Sequence, residues 1–232
     1  MFELARRGYV GVTIGYRYAP EDVFPAPIHD AKSAVRWLRA HADKYRIDKT
    51  RVGALGYSAG GSLACLLGMT EPDDQLEGEC PHKEYDSRVQ AVVSYFAPSD
   101  LAQLHAHCAL CIKTKPVLSE EFAQSGAVQF GLETWLGGPP AKAAERYLKA
   151  SPISYARKRA APTLLLHGTA DLVVPVSQSK LLEDALRAAG ADVRLITFER
   201  APHNFDERAD ANARQALAEA MQFLNKHLQK TR

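Results

Sequence analysis

Five short runs of nearly continuous apolar residues constrain this chain more than any other feature. They cover residues 9–16, 51–56, 89–96, 163–167 and 193–198. A strand with one wet face alternates polar and apolar residues; these runs do not, so both faces must be covered. Helical pattern lies between them. Residues 31–42 place Ala34, Val35, Leu38 and Ala42 at helical spacing, with Trp37 beside them. Residues 59–69 are small and apolar all round, which marks a buried helix. Residues 177–189 carry a cap at Ser177 and stop before Gly190, and residues 208–228 form a long amphipathic closing helix. This alternation predicts an α/β fold, a mostly parallel, doubly wound sheet flanked by helices. Residues 70–88 read as a solvated loop. Residues 98–161, with helical pieces around 120–136 and 141–148, read as a lid-like insertion within a single domain spanning 1–232.

Composition removes several function classes. Twenty-nine basic against 27 acidic residues leave a net charge of +2, which gives no electrostatic footprint for nucleic acid or an anionic membrane. No apolar run approaches the ~20 residues of a membrane span. Four cysteines in 232 residues are too few for a disulfide-built scaffold. The opening MFELARRGYV lacks the apolar core and cleavage site of a signal peptide, which gives a cytoplasmic expectation.

The chemistry concentrates at Gly56-Tyr57-Ser58-Ala59-Gly60. A G-x-S-x-G run between a strand and a small-residue helix is a nucleophile elbow, with the serine held on a sharp turn and its Oγ exposed. Flanking glycines are expected because side chains would collide across the turn. The Ala59 N–H, at the helix N-terminus, would face a substrate carbonyl oxygen as an oxyanion donor.

Serine needs a base, and the base needs an orienting carboxylate. On this fold the chain order is serine, acid, histidine. Asp171 follows the run 163–167, on the loop at the strand's C-terminal end. His203 follows the run 193–198, with Glu199, Arg200, Ala201 and Pro202 between. Ser58, Asp171 and His203 are therefore the candidate catalytic residues. His167 precedes the acid and ends a strand, so it reads as structural; His227 reads as solvent-facing. Glu199 and Asp206 are the competing acids.

With these residues in view, the chain resembles α/β-hydrolase-fold serine esterases of the acetyl-esterase and lipase-like group, related to hormone-sensitive lipase and to feruloyl and acetylxylan esterases. The resemblance is carried by GYVGVTIGYRYAPEDVFPAPIHDAKSAVRWLR, DKTRVGALGYSAGGSLACLLG, ASPISYARKRAAPTLLLHGTADLVVPVSQSKLLEDALRAAGADV and APHNF. It implies hydrolysis of short-acyl carboxylic esters, a small-molecule substrate and no cofactor. It also exposes a departure. Such enzymes carry an HGGG-type motif upstream, which supplies the second oxyanion donor, and this sequence has none. Run 9–16 resembles the family's fourth strand, so the sheet is expected to be N-terminally shortened. The family's third strand would lie between runs 9–16 and 51–56. The sequence is then an incomplete reading frame, or pairs those two runs directly, or fills the gap from a second copy, since unpaired edges recruit partners. A homo-oligomer is the favoured expectation.

Other candidates are weaker. Cys108 and Cys111 form C-x-x-C behind His105 and His107, but a structural zinc needs a second pair of ligands, so no metal site is expected. Cys65 reads as packing; Cys80 could pair with Cys108 or Cys111 in an oxidising compartment. Tyr57, Phe96, Leu101, Val173, Val174 and Phe205 lie near strand ends and are acyl-pocket candidates with core packing as the equal alternative. Asp30 and Trp37 read as supports for the helix near Pro27. The leading function is thus a serine carboxylesterase. The alternatives are a catalytically impaired or dead hydrolase-fold binding protein, and a peptidase or amidase using the same triad.

Overall fold

The computed structural model of the chain describes residues 2–117, 119–207 and 210–229. Among these, helix α1 (Phe2–Arg6) is followed by extended chain, then α2 (Ala26–Ala40) and α3 (Ala42–Tyr45). The core then alternates: β1 (Gly53–Tyr57), α4 (Ala59–Met69), β2 (Ala91–Tyr95), α5 (Leu101–Thr114), α6 (Glu120–Leu136), α7 (Pro140–Ala150), β3 (Thr163–Gly168), α8 (Ser177–Ala188), β4 (Val193–Phe198) and α9 (Ala211–Leu228). The strands pair in parallel in the order β1-β2-β3-β4. Side-chain alternation divides the core. Val92 and Leu165 face α2, α4 and α8. Ala91, Val93, Tyr95, Leu164 and Leu166 face α9. Every residue of β2 and β3 is buried, which is why these strands read as continuous apolar runs.

Several local readings change, among them the cap of α8, where the N-cap position is Val176, without a side-chain cap bond, and Ser177 is the first helical residue. Helix α2 begins five residues earlier than the periodicity suggests, because Pro27 sits in its first turn, where a missing N–H costs nothing. Helix α5 went unread although Asp100 caps it, accepting from Gln103 N at 2.9 Å, and Leu101, Leu104 and Cys108 line its buried face. Arg208, the expected start of the closing helix, lies outside the described residues; α9 is capped by Asp210, which accepts from Ala213 N at 3.0 Å. Loop 70–88 is tied down by a buried charge cluster. Lys32, fully buried on α2, donates to Glu77 at 2.7 Å and to Ser87 Oγ at 3.2 Å, and Arg36 pairs with the same carboxylate.

The largest correction concerns run 9–16. None of its residues is in a strand, so it does not pair with β1. Its apolar residues instead bend around the sheet edge. Tyr9 packs on the α9 side and donates to Asn225 Oδ1 at 2.8 Å, while Ile14 and Tyr16 pack on the α4 side. Val10 and Val12 between them are 54% and 46% exposed. Hydrophobicity selects strand residues, but a strand exists only where a neighbour offers a ladder. β1 is accordingly an edge. Val52 O accepts from Gln90 N and Ser58 N donates to Tyr95 O, both toward β2. Alternation therefore turns the N–H and C=O groups of Gly53, Leu55 and Tyr57 to the open side.

Candidate active site

Strand β1 ends on Tyr57 and α4 starts on Ala59, so the whole reversal falls on Ser58. Its φ of 51° and ψ of −121° lie where non-glycine residues are strained. Strain persists because both neighbours are fixed: Ser58 N donates to Tyr95 O at 2.9 Å, and Ser58 O accepts from Ser62 N at 3.1 Å. Of the flanking glycines only one is forced sterically. A Cβ on Gly56 would lie 2.1 Å from Gly60 O, whereas a Cβ on Gly60 would meet open space. The expected clash is therefore one-sided. Gly61 matters more than the pattern suggests, since its Cβ would lie 2.8 Å from Ala97 Cβ and 3.1 Å from Tyr95 O.

The loops after β3 and β4 bring two more groups to Ser58. His203 Nε2 lies 3.1 Å from Ser58 Oγ, and His203 Nδ1 lies 2.7 Å from Asp171 Oδ2. The two loops are stitched together: Ala170 N donates to Ala201 O, Thr169 N to Phe198 O, and Arg200 N to Thr169 Oγ1 at 2.8 Å. This contact needs glycine at the end of β3, because a Cβ on Gly168 would lie 2.1 Å from Ala201 O. Asp171 Oδ1 accepts from Val173 N and Val174 N at 2.9 and 2.8 Å. Burial by itself would raise the Asp171 carboxyl, but hydrogen bonds from His167 and His203, the His203 charge and the Val174 N–H outweigh it and hold the group at about 2. An ionised carboxylate facing Nδ1 fixes the tautomer with Nε2 free to take the Ser58 proton. Neither competing acid makes the contact to His203 Nδ1. Glu199 is exposed, and the Asp206 carboxyl is pushed up by burial.

Beside Ser58 lies a cavity of about 720 Å³. Val173 and Val174 line it, as expected, but Tyr57, Phe96, Leu101 and Phe205 do not. Phe96 is instead fully buried at φ 38°, with its ring 4.5 Å from the His203 ring, and Phe205 packs against Phe96 at 5.7 Å. These rings form the floor under the imidazole. The unforeseen walls are Tyr16, Tyr18 and Pro20 on one side and Val128, Phe130 and Trp135 of α6 on the other. Tyr18 and Phe130 are 69% and 73% exposed, large apolar side chains left open beside a cavity, and nothing in the sequence marks them. Asp30 holds the wall in place, accepting from Arg17 N and its guanidinium at 2.8 Å. Trp37 is exposed and stacks on His41.

The remaining candidates separate from this site. Cys108 and Cys111 lie on α5; burial pushes the Cys108 thiol up to about 11, and Cys111 Sγ lies 3.6 Å from His107 Nε2. His105 pairs with Glu133 at 2.8 Å. Among the described residues no three His, Cys, Asp or Glu side chains gather as a metal-ligand group. Cys65 is buried in α4 and its thiol is pushed up to about 12 by burial, whereas Cys80 Sγ accepts from Arg36 at 3.0 Å. His227 is not solvent-facing: it is mostly buried, with its ring 4.5 Å from that of Phe223.

A model of the BD-FAE family matches residues 1–186, about four-fifths of the chain. The chain belongs to the BD-FAE family. It is 32% identical over 206 residues to Esterase LipC of Mycobacterium tuberculosis, a match covering 88% of this chain and 47% of LipC. It is 30% identical over 227 residues to the probable carboxylic ester hydrolase LipM of that organism, covering 97% and 48%. The chain thus spans about half the length of these relatives. Among solved structures, a truncated form of a carbohydrate esterase from gut microbiota superposes with a TM-score of 0.75 at 28% identity, covering 94% of this chain and 74% of that one. The esterase Est2 of the Planctomycetes species Thermogutta terrifontis gives 0.65 at 26%, covering 89% and 65%. With the parallel sheet and flanking helices, these neighbours define an α/β-hydrolase fold.

Proposed function

We propose that this BD-FAE member is a serine hydrolase that cleaves short-acyl carboxylic esters through Ser58, His203 and Asp171. The observation that carries the reading is the unbroken chain Ser58 Oγ–His203–Asp171, at 3.1 and 2.7 Å, with the serine strained at an elbow. In this reading Ser58 Oγ attacks the ester carbonyl carbon while His203 Nε2 takes its proton. The same proton passes to the departing alkoxide, and water resolves the acyl-enzyme by the same base. Asp171 orients the imidazole and stabilises its cation. The Ala59 N–H, the first of α4 and without an intrahelical acceptor, faces the developing oxyanion. A hole with one of two donors works about 10²–10³-fold below a complete one, so slow but genuine turnover is expected.

The largely apolar cavity walls suit an uncharged acyl or alkyl group. Segment 98–161, which carries α5 to α7, serves as the lid-like wall of a single domain spanning 1–232. The related Est2 has been captured phosphorylated by paraoxon, which supports a phosphorylatable nucleophile in a neighbour of this fold. A scaffold role would not need a strained serine held within hydrogen-bond reach of an imidazole. A homo-oligomer belongs to the same proposal and rests on the open β1 edge; light scattering checks it, with a monomer discarding it. Among the described residues no helix is long and apolar enough to cross a membrane; the cytoplasmic location remains part of the proposal, checked by cell fractionation. The deciding experiment is hydrolysis of p-nitrophenyl acetate and butyrate by the chain and by Ser58→Ala. Release that disappears in the variant supports the reading; equal rates sink it.

A further inference from the structure

Strand β3 reads Thr-Leu-Leu-Leu-His-Gly, and its fifth residue, His167, is as buried as the leucines before it. A buried imidazole in an apolar strand is costly unless its nitrogens are satisfied. Both are. His167 Nε2 lies 2.8 Å from Val174 O and 3.3 Å from Asp171 Oδ2, and Nδ1 lies 2.7 Å from Ser179 Oγ. A carbonyl only accepts, so Nε2 carries the proton, and Nδ1 accepts from the buried Ser179 hydroxyl of α8. Nε2–H therefore points to Val174 O, and Nε2 also lies 3.3 Å from the same Asp171 oxygen that receives His203 Nδ1–H. Asp171 Oδ2 thus lies between two imidazoles, 2.7 Å from His203 Nδ1, which continues to Ser58, and 3.3 Å from His167 Nε2, whose other nitrogen is held by Ser179.

We propose that His167 is a positioning residue for hydrolysis: it holds Asp171 Oδ2 from behind and spreads its charge, so that Asp171 orients His203 without trapping it as a cation. The proposal rests on the reading of Ser58, His203 and Asp171 given above. Packing alone would be served by leucine, as at the three preceding positions. The His167 hydrogen bond also stands first among the influences that lower the Asp171 carboxyl against its burial. Without it, Oδ2 presents more charge to His203, and the imidazolium gains stability. The Asp206 carboxyl, from the turn Phe205–Glu207, also interacts electrostatically with His203, and Ser58 Oγ and the Phe96 ring lie against the imidazole.

The test follows the His203 ring by NMR across pH in the full chain and in His167→Leu, His167→Gln and Ser179→Ala, alongside the pH dependence of kcat/KM. Glutamine can present an N–H where Nε2–H lies; leucine cannot. In His167→Leu the His203 titration midpoint and the acid limb of kcat/KM move to higher pH, with kcat lower by about tenfold, the lower end of what outer hydrogen-bond partners of a working imidazole contribute. His167→Gln restores both, and Ser179→Ala shifts them the same way by less. A folded His167→Leu with unchanged midpoint, or leucine and glutamine variants that behave alike, overturns the proposal. If the leucine variant does not fold, an unchanged midpoint in Ser179→Ala overturns it. If the parent chain hydrolyses no ester, the hydrolysis reading has failed, and the ring titration still decides the role of His167.

Discussion

The two sides of Ser58 are built to different standards. On the side of β3 and β4, both carboxylate oxygens of Asp171 are engaged, the acid and base loops are cross-bonded, and glycine at 168 lets one loop touch the other. On the opposite side, β1 turns Gly53, Leu55 and Tyr57 to an open edge, and residues 9–16 pass by without a ladder. Preorganisation in this molecule is therefore local. The groups proposed to move the proton have both carboxylate oxygens of Asp171 engaged, while a single donor, the Ala59 N–H, is proposed for the oxyanion. Such a site is expected to activate its serine well and to stabilise its transition state incompletely.

The largest expected effects break the closed side. Ser58→Ala should lower kcat/KM on the order of 10⁴–10⁶-fold, measured with a p-nitrophenyl ester. Asp171→Asn should lower it on the order of 10⁴-fold, because the amide supports the wrong imidazole tautomer. Stability separates the glycines next. Gly168→Ala and Gly56→Ala each drive a Cβ to 2.1 Å from a backbone oxygen, and chemical denaturation should show losses of about 3 kcal/mol or more. Gly60→Ala has open space at the same elbow and should gain roughly 0.5–1 kcal/mol as a helix residue. A loss at Gly60 equal to that at Gly56 would show that the elbow is tight on both sides.

Acid sharpens the contrast further. Asp171 sits at about 2 when folded, below its ordinary unfolded value near 3.9. Its contribution is present above pH ~4 and is lost as pH falls from there through 2, roughly 2–3 kcal/mol in all. Asp171→Asn should flatten that part of the stability profile. The smallest effect belongs to the open side. The Leu55 amide, facing the edge, should exchange with solvent through local fluctuation, whereas the Leu165 amide of β3 should exchange only on global opening. Equal protection at the two positions would mean that the β1 edge is covered in solution.

Much of this was legible in the sequence because the relevant physics is local. The elbow 56–60 follows from strand, serine and small-residue helix, and the places of Asp171 and His203 follow from chain order after β3 and β4. Non-local physics was not legible. Run 9–16 has strand composition, yet pairing depends on a neighbour that its own residues do not encode. Phe96 and Phe205 carry the composition of a pocket wall but serve as the floor under His203, and Tyr18, Phe130 and Trp135 become cavity walls only through the approach of α6 to the extended chain. His167 resembles its leucine neighbours in burial, and only the distances to Asp171, Val174 and Ser179 separate it from them.

The central claim is that the closed side of the site activates Ser58. It is tested most directly by treating the chain with a fluorophosphonate and locating the adduct by mass spectrometry, with His203→Ala treated in parallel. The expected result is a single adduct on Ser58 that forms far more slowly in the variant. An unlabelled Ser58 in the folded chain, or labelling at equal rates with and without the His203 imidazole, would contradict it.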